Sequence, residues 1–567
     1  DKIKIKTLKA TNERKKEYLW IGNVMGVAPQ NRLTTNNLKY LETKTISNIL
    51  SDLQNKKVKG KKIQEFEDIL QKIQDRFFIK SGKQPFLIPE KLEKVEKEGE
   101  KREKKGEKLL YTVAVEDDRE VDLATHEGYI EYLAGSLLSL EEVTHGRCHI
   151  CVRDGKVIAG PKYPSGTPLK IYAVDKKGFF SGLTDTEDAK LRTHAVCPDC
   201  LRALMAGNSY LMQNFSTKAG RFDVYLIPRI SGTEIKARNL DKWAEYLSKT
   251  FGTVNSYEAL HQFDQELSDW KEYEECNYFL NILFGRPEQA KFSFRHLIQD
   301  VPTTRLKKMR NENKRLSEEA LKILPNVNWS LGFSEINVIY PIRISEQRFL
   351  EWKALIELFD AMLSAHTYPY DEIIKKALQF THICRFGTYE AFNIRREKNP
   401  DIQMVIGVLK YNLLLKYLEV LDVVKSSKEG LEVSELVEKL PKDVKSWMEL
   451  VSYSPQQQAL FLLGILIGRI GTAQRKKGDT KKAILNKINF RGMNQERVME
   501  LANTVFENLR IYRVMEENEG LYSIMKQLLD ANIGNWSMGP SENVFYILSG
   551  YSFATYKAII SKTQTES

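Results

Sequence analysis

At 567 residues the chain is too long for one hydrophobic core, and its length points to about three domains. The longest apolar run, Ala459 to Gly468, stops at Arg469 and is far too short to span a membrane. No secretory leader is visible, and six cysteines set out as two close pairs plus Cys276 and Cys384 do not make a disulfide framework, so a reducing cytoplasm is the expected location. A net charge of +11 is modest over this length, so the question is where it concentrates.

In chain order, residues 1–108 carry mixed material. A short apolar turn at Tyr18 to Gly22 is followed by helical spacing through Ile46, Ile49, Leu50 and Leu53, and again through Ile63, Phe66, Ile69, Leu70 and Ile73. Residues 90–108 are almost pure Glu and Lys, too polar to bury a face, and read as a solvated helix or an unstructured linker marking a first boundary. Leu109 to Val115 then reads as a strand and Tyr129 to Leu140 as a helix.

That helix leads into the stretch around which the chain is organised, Cys148-His149-Ile150-Cys151, a 45-residue insert, and Cys197-Pro198-Asp199-Cys200. Two Cys-x-x-Cys knuckles supply what a tetrahedral Zn ion needs, each placing two thiolates on one edge of the shell. Four thiolates leave no open position for water, so the expected role is structural. Two other readings stand beside it. Cys197 and Cys200, followed by helical residues, resemble a redox pair at a helix N-terminus, and His145, His149 or His194 could replace one sulfur. The long insert has to be a substructure of its own, with strands expected at Lys156 to Ile158, Leu169 to Val174 and Phe179-Phe180 between glycines.

Beyond the second knuckle comes a polar run with Asn208, Gln213, Asn214, Lys218 and Arg221, read as a turn. A strand over Phe222 to Ile227 and a helix over Leu240 to Phe251 follow. Tyr278 to Phe284 and Lys291 to Leu297 flank Gly285-Arg286-Pro287-Glu288 as a hairpin within 278–301, which runs out into Asp300-Val301-Pro302-Thr303-Thr304-Arg305-Leu306. From about Glu346 helices take over, with stripes at Phe349, Trp352, Leu355, Ile356 and Phe359, over Met404 to Leu421, at Ala459, Leu462, Leu463, Leu466 and Ile470, and at Leu501, Val505, Leu509 and Tyr512. The fold class is therefore α+β and multidomain. A mixed platform over 109–345 contains the knuckle (145–221), a helical region spans 346–445, and an all-α bundle fills 446–567.

The charge does concentrate. Arg305 to Arg315 holds six Lys or Arg against one Asp or Glu, and Arg469 to Arg513 eleven against four. Such density is the footprint of a polyanion, although a solvated helix face produces the same count. No P-loop, zinc-protease helix, serine-hydrolase elbow or carboxylate cluster for two Mg ions is present, and the eight histidines form no evident dyad. A nucleic-acid-binding scaffold without enzymatic activity is favoured over a zinc-ribbon nucleic-acid-processing enzyme with an unrecognised nuclease site, or a scaffold that binds protein alone.

The double knuckle followed by a strand, the hairpin ending in Asp300 to Leu306, and the helical unit opening with Ser454-Pro455-Gln456-Gln457-Gln458-Ala459 together resemble the large subunit of a type I-B CRISPR effector complex (Cascade), the Csh-type family. The resemblance runs from about residue 109 to the end. It implies an antiviral ribonucleoprotein subunit that helps hold the 5′ handle of a guide CRISPR RNA and reads the protospacer-adjacent motif in target duplex DNA. It further implies guidance of the displaced strand, contacts with backbone, handle-binding and small subunits, and later recruitment of a helicase-nuclease. It also implies a C-terminal domain like the small subunit, with Met448 as the candidate internal start. In such a complex sequence is read by RNA pairing, and the protein adds backbone contacts plus one short base reader. Asn208, Gln213 and Asn214 are assigned to that reader, with Lys218 and Arg221 on phosphate. Arg305, Lys307, Lys308 and Arg310 are assigned to RNA or target-strand phosphate, and Arg469, Arg475, Lys476, Lys477, Lys481, Lys482 and Arg491 to the displaced strand.

Overall fold

The computed structural model of the chain describes residues 2–20, 29–56, 60–81, 84–87, 92–116, 120–138, 143–161, 163–164, 166–172, 187–230, 240–265, 278–288, 291–346, 348–425, 437–477 and 483–565. It forms two compact units, Asp1–Gln213 with Arg286–Phe294, and Asn214–Gly285 with Arg295–Ser567. Both sheets and helices are present, with the C-terminal region helical, as the α+β reading anticipates.

In the first unit Lys2–Lys9 pairs antiparallel with Leu109–Glu116, which in turn pairs with Glu120–Asp122. The two-residue period of a strand puts Ile3 and Ile5 into the core and turns Lys4 and Lys6 to the other face. There Lys4 meets Glu116 at 2.6 Å, and Lys6 meets Glu120 at 2.5 Å and Asp122 at 2.7 Å. Helices Thr45–Lys56 and Lys61–Phe77 lay their apolar stripes on this core together with Tyr129 and Tyr132 of Glu127–Leu138. The Glu and Lys run forms the helix Leu92–Glu103, and the boundary expected at 108/109 falls just before a strand that pairs with the first strand of the chain.

A second, smaller core in this unit belongs to the knuckle. Val143–Arg147 and Asp154–Ala159 form a hairpin, and Ala195–Val196 adds a third strand before the helix Pro198–Asn214. Among the described residues its buried hydrophobic cluster comprises Cys148, Val157, Ile158, Tyr163, Ala195, Val196 and Leu201. The strand expected at Leu169 to Val174 is instead a 3-10 turn over Pro168–Tyr172, because Pro168 at its start withholds a ladder donor. Residues 173–174 and Phe179-Phe180 lie outside the described residues.

The second unit begins with most of an antiparallel sheet in the order Lys291–Pro302, Tyr278–Glu288, Phe222–Ile230, Ser216–Ala219, of which only Arg286–Phe294 counts with the first. After Pro302 the chain enters a long helix, Thr303–Ile323, well before the helices expected from about Glu346. The bundle then centres on Pro455–Lys476 and Pro540–Thr565. Their backbones touch: a Cβ on Gly464 would lie 1.9 Å from the Ile547 carbonyl oxygen, and one on Gly550 would lie 1.8 Å from that of Phe461. Only glycine permits that approach. Pro455–Lys476 is also buried around most of its circumference, including Leu460, Phe461, Ile465 and Ile467, so the single apolar face expected for it was too narrow.

Candidate metal centre and nucleic-acid interface

The first knuckle is the turn of the Val143–Asp154 hairpin. Its backbone closes tightly: the Cys148 N–H donates to the Arg153 carbonyl at 2.9 Å, the Val152 N–H to the Cys148 carbonyl at 2.9 Å, and Val152 takes a left-handed φ of 61°. The His149 N–H reaches the Ala195 carbonyl at 2.8 Å, which ties this turn to the strand that delivers the second knuckle. Cys197 and Cys200 flank the N-terminus of the helix Pro198–Asn214.

These two turns bring the Sγ atoms of Cys148, Cys151, Cys197 and Cys200 within 4.8 Å of one another, with Cys151 and Cys197 3.9 Å apart. A tetrahedral ion bound at about 2.3 Å separates its sulfurs by about 3.8 Å, so the four residues fit a metal ion such as zinc. Their electrostatics agree. Burial works against the Cys148 thiolate, yet N–H groups of Cys197, Cys151 and Ile150 outweigh it and bring the group down to about 6. Burial and the neighbouring thiols push Cys200 up to about 12. Four crowded sulfurs cannot all ionise without a cation among them.

The histidine alternative is answered by position. His194 is buried and its Nε2 meets the Tyr163 hydroxyl at 2.5 Å, while His149 Nδ1 accepts from the Ala195 N–H at 3.4 Å and His145 is exposed. Two exposed rings also gather here: Tyr172 stacks on His194 with centroids 5.3 Å apart, and His149 lies 6.3 Å from the same ring. Residues so far apart in the chain give no sequence signal of this cluster.

The residues expected to touch nucleic acid fall into different surroundings. Asn208 is buried within the helix Pro198–Asn214, not on a turn, so its amide is withdrawn from any groove. Gln213 is exposed at the end of that helix and closes the first unit, whereas Asn214, Lys218 and Arg221 belong to the second. Lys218 is exposed and 3.6 Å from Asp223. Partial desolvation, and then the neighbouring Arg395, pull the Arg221 guanidinium below its ordinary range.

Arg305 is a correction. It is buried, and its Nε and Nη1 donate to the Met362 and Leu421 carbonyls at 2.6 and 2.8 Å, so the guanidinium braces helix ends inside the fold. Arg310 is likewise buried, 5.0 Å from the Phe263 ring. Both face inward because Thr303–Ile323 is a packed helix whose buried side includes Thr303, Leu306 and Met309. Lys307 is half-buried, and Lys308 pairs with Asp422 at 2.7 Å. In the bundle Arg469 is half-buried and donates to Asn518, so its guanidinium is engaged within the fold, which corrects its assignment to the displaced strand. Arg475, Lys476 and Lys477 are exposed at the C-terminal end of their helix, and Lys477 sits 5.0 Å over the Tyr512 ring. Arg491 is exposed; Lys481 and Lys482 lie outside the described residues.

Three family models match along the chain, described as the N-terminal, central and C-terminal domains of CRISPR-associated protein TM1802, over residues 1–135, 145–301 and 331–565. The chain belongs to the CRISPR-associated TM1802 family. Its central-domain match begins two residues into the first hairpin strand of the knuckle and ends inside strand Lys291–Pro302, so the match spans both the thiol cluster and the four-stranded sheet. The N-terminal hundred residues, which carry no motif of the resemblance, are matched as well. Among curated proteins none matches the chain. Within the described residues no helix is long and apolar enough to cross a membrane.

Proposed function

We propose that this TM1802-family chain is the large subunit of a type I-B CRISPR surveillance complex (Cascade). In this reading it binds the 5′ handle of guide RNA, recognises the protospacer-adjacent motif and holds the displaced DNA strand. Membership of the family carries the reading. Zinc on the four cysteines serves as a structural clamp, and the subunit performs no cleavage, which falls to a recruited helicase-nuclease. Of the phosphate contacts, Lys218, Arg221, Lys307, Lys308, Arg475, Lys476, Lys477, Lys481, Lys482 and Arg491 remain assigned, and Gln213 with Asn214 remain assigned to the base reader. The support for the bundle assignment is three exposed consecutive cations at one helix end, Arg475, Lys476 and Lys477.

Two measurements test this. Affinity purification from a host expressing the whole system is expected to return the chain with a guide RNA and several other protein subunits. The chain recovered without RNA, or purified chain cutting DNA with Mg alone, overturns the reading. Second, changing Arg475, Lys476 and Lys477 to Glu is expected to reduce the slope of log affinity against log salt by about 2 for single-stranded DNA. An unchanged slope removes the bundle from the DNA path.

A further inference from the structure

Beyond the clamp role, the knuckle carries an unused aromatic surface. We propose that Tyr172, stacked on His194, is a platform for an unpaired base of single-stranded nucleic acid; this rests on the reading of the chain as a nucleic-acid-binding subunit.

Three observations point there. First, the ring is held in place yet left open: Tyr172 stacks on His194 with planes 22° apart, but the residue remains 51% exposed. A ring stacked merely to fill a core would be covered. Second, its support is rigid. His194 is 8% exposed, its Nε2 meets the buried Tyr163 hydroxyl at 2.5 Å, and its carbonyl accepts from the Gly160 N–H at 2.8 Å. Because His149, between two metal-ligand candidates, lies 6.3 Å from the same ring, the platform is built onto the thiol cluster. Third, the surrounding segment 143–172 holds five Lys or Arg against the single acid Asp154. Arg153 and Lys156 are exposed and form no ion pair among the described residues. An open π face on a segment that also carries the exposed cations Arg153 and Lys156 suits a base and its phosphate, since stacking tolerates any sequence while cations track the backbone.

The test uses the full chain and fluorescent 15-nucleotide strands of dT, of rU, and of an abasic deoxyribose phosphate backbone. Wild type is expected to bind the base-bearing strands more tightly than the abasic one, with little distinction between dT and rU. Tyr172→Leu, which keeps apolar bulk without a π face, is expected to lose on the order of tenfold on the base-bearing strands and nothing on the abasic strand. Tyr172→Trp is expected to retain the preference. Zinc content per chain, measured on each variant, is expected to stay constant. The platform is overturned if Tyr172→Leu keeps its zinc and the full base preference, the result expected of a ring that serves a protein contact. If wild type binds none of the three strands, nucleic-acid binding itself fails and the platform with it.

Discussion

The knuckle and the C-terminal bundle are stabilised by opposite means. The bundle buries Leu460, Leu462, Leu463, Leu466, Ile467 and Ile470 from one helix alone, and two glycines let its central helices meet backbone to backbone. Among the described residues the knuckle has seven buried core residues, one of them a cysteine. That is little apolar burial against the ordering of three strands, a turn and a helix, and small modules of this kind commonly depend on a metal. The lesson is that four sulfurs converge at the centre of the knuckle, whereas the bundle is held by apolar packing of helix on helix.

That contrast can be broken most severely at the metal. Zinc removal by a chelator, or Cys148→Ser with Cys197→Ser, is expected to unfold the strands Val143–Arg147, Asp154–Ala159 and Ala195–Val196 and the helix after them while the bundle stays folded. Structural zinc contributes on the order of 10 kcal/mol, so amide exchange should rise throughout these elements and not in 455–476. Acid acts in the same direction, because each thiolate has to be kept from a proton: zinc retention is expected to fall as pH falls. Simultaneous loss of protection in both regions would mean that the bundle has no independent stability.

On the bundle side the largest effect is expected at Gly550. Gly550→Leu would drive a side chain into the Phe461 carbonyl and cost about 3 kcal/mol or more, read as a fall in Tm with zinc content unchanged. Asn412→Leu comes next. The Asn412 amide donates to the Val408 carbonyl at 2.7 Å and to Ser549 Oγ at 2.9 Å, and its oxygen accepts from the Tyr453 hydroxyl, so the variant leaves buried groups unpaired. The expected cost is about 2 kcal/mol by denaturant titration. Ser454→Ala is the mildest. Ser454 and Gln457 form a reciprocal capping box with Pro455 in the first turn, and losing the cap should cost about 1 kcal/mol.

That last site also explains part of what was legible beforehand. The run Ser454 to Gln458 is distinctive because its polar side chains bind backbone. Gln456 donates to the Asn535 carbonyl at 2.8 Å and Gln458 to that of Tyr453 at 2.9 Å. The thiol cluster was legible for a related reason, since the short spacing inside each pair already commits both sulfurs to one turn. Arg305 shows the limit. Its charge density reads as a polyanion site, yet Met362 and Leu421, distant in sequence, converge to receive it.

Local chemistry alone determined which residues could ligate a metal and that a hairpin lies within 278–301, because spacing and turn residues act over a few positions; it misplaced the turn, since Gly285 to Glu288 continue the strand Tyr278–Glu288, and it put the start of the helices near Glu346 although a long helix already begins at Thr303. Which cations stay in water was decided only by tertiary packing. Arg475 and Arg469 are the same residue type on one helix, yet Arg475 is exposed while the Asn518 partner that holds Arg469 comes from 49 residues away. The same holds for Tyr172, whose stacking partner His194 is supplied by the fold and not by its neighbours in the chain.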